Sequence, residues 1–181
     1  MRALARLGSS WPWPDAGNCD CAFYLADGSP DPDQCNCASL IYCDGSSFSG
    51  YRPEPWPVEA PGRPPSPNNV SHLLFRGLRN LDAALDHLVG MGLDKASEVV
   101  VTGGSAGGLS TFLHSDRIAK RAPFAKVRAL PIVGYFLNHE EMVHGDPNYR
   151  TTMDYVRRMQ NITDGALSAE CLLTYPSEKW R

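Results

Sequence analysis

A β-branched run that passes through glycines into a helix-like pattern limits the fold of this chain more than any other stretch. Residues 98–102 read Glu-Val-Val-Val-Thr and predict a fully buried strand, because continuous apolar runs of this length are typical of parallel sheets. Residues 109 to about 120 predict a helix directly after the turn. A strand that leads straight into a helix is the building unit of α/β folds, so we expect a mainly parallel sheet flanked by helices.

Leucines at three- and four-residue spacing predict a second helix, from about residue 71 to residue 92. These leucines are Leu74, Leu78, Leu81, Leu85 and Leu88. We expect Asn69 or Ser71 to cap the start of this helix and Gly90 or Gly92 to end it.

Other apolar runs extend the alternation of strands and helices. Residues 38–42 predict a short buried strand that ends at an Asp-Gly turn, and residues 127–135 predict another strand, although Pro131 lies inside it. Asp146 and Pro147 predict the start of a helix that continues to about Met159, since a capping residue followed by proline is a common helix start.

Two segments are expected to be irregular. Residues 1–37 are rich in Pro, Gly, Asp and Cys without periodicity, and residues 51–67 hold seven prolines, which predicts a surface insertion without a regular element. The whole chain, 1–181, has the length of a single domain.

The cysteines favour an oxidising compartment. Five of the six occur within the first 43 residues, and the compact, even-numbered set is typical of disulfides. Free thiols remain an alternative, and so does a zinc site formed by four of them, although C-x-C spacing is tighter than the usual zinc knuckle. Those four are Cys19, Cys21, Cys35 and Cys37. Two N-x-[ST] triplets make Asn69 and Asn161 possible glycosylation sites.

Charge and hydropathy exclude two classes of partner. The net charge is −3, and the single basic cluster is expected to be a solvated surface, so we expect no nucleic acid. That cluster consists of Lys120, Arg121, Lys126 and Arg128. No run reaches the roughly 18 apolar residues of a membrane span, and the first ten residues lack the apolar core of a secretory signal.

The turn between strand and helix has the pattern G-x-S-x-G, with Gly103, Ser105 and Gly107. In this context the pattern predicts a nucleophile elbow: small residues allow a tight turn, the Ser105 hydroxyl is exposed, and the N–H of Ala106 can donate to an oxyanion. An ordinary turn without chemistry is the alternative. A phosphate loop would need lysine where Leu109 stands, and a dinucleotide-binding loop would need glycine in place of Ser105.

Several short motifs follow one another between about residues 7 and 137. They are Leu7–Ser10, Cys43–Gly50, Phe75–Gly77, Gly104–Leu109 with Leu113, His114 and Asp116, and Gly134–Leu137. Together they resemble the signatures of the pectin acetylesterase and Notum carboxylesterase family. The resemblance implies a secreted serine esterase of α/β-hydrolase fold that needs neither cofactor nor metal. It makes Ser105 the nucleophile and Ala106 an oxyanion donor, and it implies an acylated substrate, either an O-acetylated cell-wall polysaccharide or an acylated protein.

The sequence also departs from the family pattern. The family's glycine-rich oxyanion stretch has no counterpart before Leu7, and the family's acid and histidine base follow the nucleophile at a distance that exceeds this chain. Gly104 and Ser115 stand where the family has cysteines, and Ile132 stands where it has an aspartate. We therefore expect a partial α/β-hydrolase-like domain, the middle of an esterase.

The histidines of this chain offer no clear base for the nucleophile. His114 would lie about 13 Å further along the same helix, beyond hydrogen-bond reach. We expect His72 and His87 to be exposed on the preceding helix, and His139 and His144 to lie in a solvated loop, with a role as base as the alternative. The sequence thus predicts a serine carboxylesterase, with a catalytically incomplete glycan- or protein-binding homologue, or a truncated gene product, as alternatives.

Overall fold

The computed structural model describes residues 35–57, 72–136 and 148–174. The chain divides into two compact units, Met1–Cys43 and Asp44–Arg181, and a single domain over 1–181 stays a prediction. None of the helices in the described ranges is long and apolar enough to cross a membrane. The same ranges contain no group of three or more His, Cys, Asp or Glu side chains that could hold a metal ion.

The first unit is described from residue 35 to residue 43, where the chain forms no strand. The prediction of a buried strand at 38–42 is wrong, and Ile41 is exposed. A strand needs a neighbour to satisfy its backbone, and no strand in the described part of the chain pairs with this run. Cys35 and Cys37 are disulfide-bonded, while the pairing of the remaining cysteines stays a prediction.

Two short extended segments lie side by side before the first helix. Strand β1 (Trp56–Pro57) pairs antiparallel with strand β2 (His72–Leu73), and the N–H of Arg52 donates to the carbonyl of Phe75 at 2.9 Å. The expectation that 51–67 holds no regular element is therefore wrong at β1. Proline is tolerated there because an edge strand of two residues does not need its N–H. The remainder of that segment, 58–67, lies outside the described residues.

Helix α1 (Gly77–Gly90) begins later than the leucine spacing predicts, because β2 and a link without regular structure occupy the preceding residues. Arg76 is its N-cap residue and makes no capping hydrogen bond through its side chain. The predicted caps Asn69 and Ser71 are wrong, and both lie outside the described residues.

The predicted end of α1 and its buried face are confirmed. The helix finishes at Gly90, and Gly92 follows in the left-handed conformation with φ 112°. Leu81 and Leu85 are buried, whereas Leu74 precedes the helix and is exposed. The leucine spacing thus identified the core-facing side of α1 but not its first residue.

The centre of the second unit is a strand–helix–strand unit, which confirms the partial α/β fold. Strand β3 (Glu98–Gly104), helix α2 (Ala106–Ala119) and strand β4 (Lys126–Ile132) follow one another. The two strands are parallel and in register along their whole length, from Glu98 opposite Lys126 to Gly104 opposite Ile132. Pro131 lies within β4 opposite Gly103.

Among the described residues, helix α2 covers one face of the sheet and the other face is partly exposed, so the prediction of a fully buried strand is wrong. Helix α2 packs against both strands, while Val100 and Leu130 are 42% and 45% exposed. Parallel strands become fully buried when helices cover both faces and further strands flank them. In the described ranges β3 and β4 form a sheet of two strands.

Charged side chains join α1 to α2. Arg117 binds Asp82 at 2.7 Å, and Arg121 contacts both Asp82 and Asp86. Because the contacts advance in the same direction on both helices, α1 and α2 run parallel. Arg128 forms an exposed ion pair with Glu98 at 2.9 Å. Arg121 and Arg128, two of the four residues of the basic cluster, therefore form ion pairs with carboxylates of the protein itself.

Two helices complete the described chain, α3 (Asn148–Met159) and α4 (Ala169–Thr174). The predicted helix to Met159 is confirmed, although its expected starting residues, Asp146 and Pro147, lie outside the described residues. Asn161 follows α3 with φ 52°, and the N–H of Ile162 donates to the carbonyl of Arg157 at 2.9 Å. This pattern is a Schellman end, in which Asn161 takes the place usually held by glycine.

The predicted turn at Asp44 and Gly45 is confirmed, and the segment 44–50 forms part of the core. The Asp44 carboxylate accepts hydrogen bonds from the Ser46 hydroxyl at 2.8 Å and from the N–H of Phe48 at 3.0 Å. Phe48 is buried. The carboxylate also lies against Gly77, where a side chain would collide with it.

Candidate active site

Ser105 lies alone between β3 and α2, at φ 54° and ψ −114°. Its N–H donates to the carbonyl of Ile132 at 2.9 Å, and its carbonyl accepts from Leu109 at 3.0 Å. Ser105 is exposed. A positive φ is uncommon for a residue other than glycine and costs free energy, so two fixed hydrogen bonds hold this residue in a strained turn that presents its hydroxyl to solvent.

Gly103 permits the close contact between β3 and α2. A Cβ atom at Gly103 would lie 2.6 Å from the carbonyl carbon of Gly107 and 2.7 Å from its oxygen. We expected both Gly103 and Gly107 to be small so that strand and helix can approach each other, and only Gly103 is needed for that reason. A Cβ atom at Gly107 would meet nothing within 4 Å among the described residues, so Gly107 contributes its backbone position rather than the missing side chain.

A second close contact involves a pair of glycines that the sequence pattern did not single out as a structural pair. A Cβ atom at Gly108 would lie 2.7 Å from the Cα of Gly134 and 2.7 Å from the carbonyl oxygen of Ile132. The turn after β4 therefore lies directly on the first turn of α2. The signal was present in the sequence, since both glycines belong to motifs quoted above, but their proximity depends on the parallel pairing of β3 with β4.

Ala106 is the first residue of α2. Its N–H is one of the first four in the helix, which have no acceptor within the helix. Helix N-termini also carry a partial positive charge. This donor next to Ser105 can stabilise negative charge on the oxygen of a carbonyl group whose carbon is attacked at this turn.

An apolar edge adjoins the serine. Val133 directly follows Ile132, is 84% exposed and has φ 50°. A β-branched residue in the left-handed region is an outlier. Tyr135 and Phe136, which come next, are also exposed. Because Ile132 accepts the Ser105 N–H, this edge begins at the candidate site.

His114 is not a base for Ser105. It lies on the third turn of the continuous α2, is 1% exposed, and its Nε2 hydrogen-bonds to the carbonyl of Ser47 at 2.9 Å. Burial lowers the pKa of His114 to about 4, and the charge of Arg117 lowers it further, against the opposing effect of the Ser47 hydrogen bond. The neutral ring therefore joins the 44–50 turn to α2.

The other histidines bring no imidazole to the serine within the described ranges. His87 is exposed on α1, as predicted; His72 is exposed as predicted but lies on β2 rather than on the helix. His139 and His144 lie outside the described residues. In the part of the chain that is described, the Ser105 hydroxyl makes no hydrogen bond.

The two predicted glycosylation sites have different outcomes. Asn69 lies outside the described residues. Asn161 is exposed, and its Nδ2 donates to the carbonyl of Tyr51 at 3.1 Å. Its left-handed conformation gives it a structural role at the end of α3, and its glycosylation stays a prediction.

Comparison with known proteins identifies relatives of the whole chain. A family model described as Pectinacetylesterase matches residues 1–179. Pectin acetylesterase 5 of Arabidopsis thaliana is 34% identical over 98% of this chain and 39% of its own length. The palmitoleoyl-protein carboxylesterase Notum of Drosophila melanogaster is 30% identical over 98% of this chain and 26% of its own length.

The fold has a solved counterpart as well. The second crystal form of the Wnt deacylase Notum from Drosophila superposes with a TM-score of 0.66 at 25% identity, over 98% of this chain and 50% of that one. The chain thus spans about two fifths or less of the curated relatives named above.

Proposed function

The chain belongs to the pectinacetylesterase family, and from this premise we propose that it carries the nucleophile of a serine carboxylic-ester hydrolase, with Ser105 as the attacking residue. One observation supports the proposal above all: Ser105 is an exposed, non-glycine residue with φ 54° between a parallel strand and a helix. An ordinary turn has no need to hold serine in that conformation, since glycine adopts it without strain.

The proposed reaction has two steps. The Ser105 oxygen bonds to the ester carbonyl carbon, the alcohol leaves, and an acyl-enzyme forms; water then attacks the acyl carbon and releases the acid. The N–H of Ala106 donates to the carbonyl oxygen as negative charge develops on it. A base must accept the hydroxyl proton of Ser105. We propose that this base and its acid partner come from the part of the relatives' fold to which this sequence does not align.

The proposed substrate is an acyl ester of a polysaccharide. The relatives are named for pectin acetyl esters and for palmitoleoylated protein, and the polysaccharide is the first choice because the identity to the pectin acetylesterase is higher. We place the protein outside the cell, which the disulfide bonds at Cys35 and Cys37 support, since such bonds persist in oxidising compartments.

A serine-directed phosphonate probe and an acetyl ester test the proposal. We expect weak labelling and weak hydrolysis by the 181-residue chain, because general-base help contributes about 10²- to 10⁴-fold. A longer version that includes the remainder of the relatives' fold should be labelled at Ser105 and active. Ser105→Ala should abolish both signals in the longer protein, whereas Ser97→Ala, at an exposed serine before β3, should change neither.

Two results would contradict this proposal. Full activity in the longer protein with Ser105→Ala would show that another residue attacks the ester. Failure of the folded longer protein to react at all would favour the alternative of a catalytically incomplete binding homologue.

A further inference from the structure

Two residues in the left-handed region lie next to each other at one end of the β3–β4 sheet. Ser105 has φ 54° and Val133 has φ 50°. Each directly follows a strand, since β3 ends at Gly104 and β4 ends at Ile132, and these two end residues lie opposite each other. The N–H of Ser105 donates to the carbonyl of Ile132 at 2.9 Å. By standard bond lengths, the Cα atom of Val133 therefore lies no more than about 7 Å from the Ser105 nitrogen.

The side chain of Val133 does not account for its conformation. It is 84% exposed, so packing against the described part of the protein does not hold it in place. The left-handed region is costly for a β-branched residue, whereas glycine adopts it freely. The backbone on either side of Val133 must therefore impose this conformation.

Two fixed points hold the backbone around Val133. On one side, Ile132 is the last residue of β4 and its carbonyl accepts the N–H of Ser105. On the other side, Gly134 is buried against the first turn of α2, where a Cβ atom would lie 2.5 Å from the Cα atom of Gly108. The chain changes direction between these two points within a single residue. We attribute the left-handed conformation of Val133 to this change of direction.

We propose that Val133 is a positioning residue for Ser105. Its left-handed turn places the Ile132 carbonyl where it accepts the N–H of Ser105, and that hydrogen bond holds Ser105 at its own positive φ. If the turn relaxed, the carbonyl would move and Ser105 could return to a conformation of lower energy. The Ser105 hydroxyl would then change its orientation relative to the N–H of Ala106. The effect on backbone structure is independent of chemistry, whereas the effect on catalysis rests on the proposed function.

Substitutions of Val133 separate its backbone conformation from its side chain. Proline fixes φ at about −65° and so forbids the turn. The N–H that proline removes donates to no acceptor among the described residues. Glycine adopts a positive φ without strain. Threonine keeps the β-branched shape and changes only the chemistry of the side chain.

Hydrogen exchange of the Ser105 amide, followed by NMR spectroscopy in the 181-residue chain, reports on the hydrogen bond. Val133→Pro should speed this exchange at least about fivefold, as expected for the loss of one hydrogen bond. Val133→Gly and Val133→Thr should leave it within about twofold of the parent chain, because the turn is kept. The amide of Leu85, on the buried face of α1, is the internal reference and should not change.

A second variant displaces the same turn if Val133→Pro does not fold. Gly134→Ala keeps residue 133 but places a side chain against Gly108, so it should also speed the exchange of the Ser105 amide. Gly90→Ala is the matched control, because a Cβ atom at Gly90 would meet nothing within 4 Å among the described residues. Thermal unfolding shows which variants are folded.

The longer protein tests the consequence for catalysis. Val133→Pro should lower kcat for an acetyl ester at least about fivefold and leave KM nearly unchanged, because it moves the nucleophile and not the groups that bind the substrate. Val133→Thr should keep the kcat of the parent protein.

Four results would overturn the positioning role. The Ser105 amide could be unprotected in the parent chain, its exchange could be unchanged in folded Val133→Pro, or Val133→Thr could speed it equally. The fourth is a longer protein in which Val133→Pro reacts normally, which would leave Ser105 as the nucleophile. Failure of every version of the longer protein to react, with the expected exchange pattern intact, would contradict only the proposed function.

Discussion

At the scale of single residues, the glycines of the G-x-S-x-G motif are not equivalent. Gly103 has the backbone of Gly107 at 2.6 Å from the position of a Cβ atom, whereas Gly107 has open space around its own among the described residues. A side chain at Gly103 must push β3 and α2 apart and so move Ser105. A side chain at Gly107 only replaces glycine within a helix, where alanine is favoured.

We therefore predict opposite effects of two alanine substitutions. Gly103→Ala should lower the free energy of unfolding by about 2 kcal/mol or more, as overpacking does, and should reduce labelling of Ser105 in the longer protein. Gly107→Ala should leave the stability unchanged or raise it by up to about 1 kcal/mol. Urea denaturation measures both. Equal destabilisation by the two substitutions would mean that strand and helix do not meet at Gly103.

At the scale of elements, the end of α3 depends on a residue far away in the sequence. The Nε of Arg52 donates to the carbonyl of Met159 at 2.7 Å and its Nη2 donates to that of Arg158 at 2.8 Å. The same guanidinium lies 4.7 Å from the centre of the Trp56 ring. Helix C-termini have unpaired carbonyls and a partial negative charge, so Arg52 satisfies both the acceptors and the charge.

Substitutions of Arg52 test this cap, because they separate the effect of its positive charge from that of the two hydrogen bonds that its guanidinium group donates. Arg52→Met removes both and should lower the free energy of unfolding by about 2 kcal/mol, while Arg52→Lys keeps the charge but not the fork and should cost about 1 kcal/mol. Arg128→Lys, at an exposed ion pair, should cost less than about 0.5 kcal/mol. Thermal unfolding compares the three. Full stability in Arg52→Met would show that α3 ends without this cap.

At the scale of the whole molecule, His114 couples the 44–50 turn to α2 through a buried neutral ring. Its pKa is about 4 in the folded chain, against an ordinary value of 6.5. Because the unfolded chain binds more protons between these values, the contribution of His114 is fully present above pH 6.5 and is lost as the pH falls towards 4. The unpartnered Nδ1 is buried, so a proton there would have no acceptor in the described residues.

We predict that the free energy of unfolding falls by up to about 3 kcal/mol from this source between pH 6.5 and pH 4. His114→Gln, which keeps a donor near Ser47 but cannot titrate, should be less stable at pH 7 and should lack most of this slope. Urea denaturation at several pH values measures the difference. The same slope in His114→Gln would assign the acid sensitivity to other groups.

The sequence alone determined the strand–turn–helix around Ser105 and the order of β3, α2 and β4 along the chain, but not the register of the two strands. It also determined the core-facing leucines of α1 and the family. These features depend on local periodicity, on glycine at a tight turn and on motifs of neighbouring residues, all of which are local in the chain. The same local reasoning misplaced the start of α1, because the antiparallel pairing of β1 with β2 occupies the residues before it. It also predicted a strand at 38–42, with which no strand in the described part of the chain pairs.

Only the tertiary structure decided which groups meet. The contact of Gly108 with Gly134, the pairing of His114 with Ser47, the cap of α3 by Arg52 and the hydrogen bond between Ser105 and Ile132 each join residues that are distant in sequence. Burial was decided in the same way: Val100 and Leu130 are apolar, yet they stay exposed because α2 covers the other face of the sheet. A sequence pattern gives each residue's preference for burial or for a partner, whereas the packing of separate elements determines whether that partner is present.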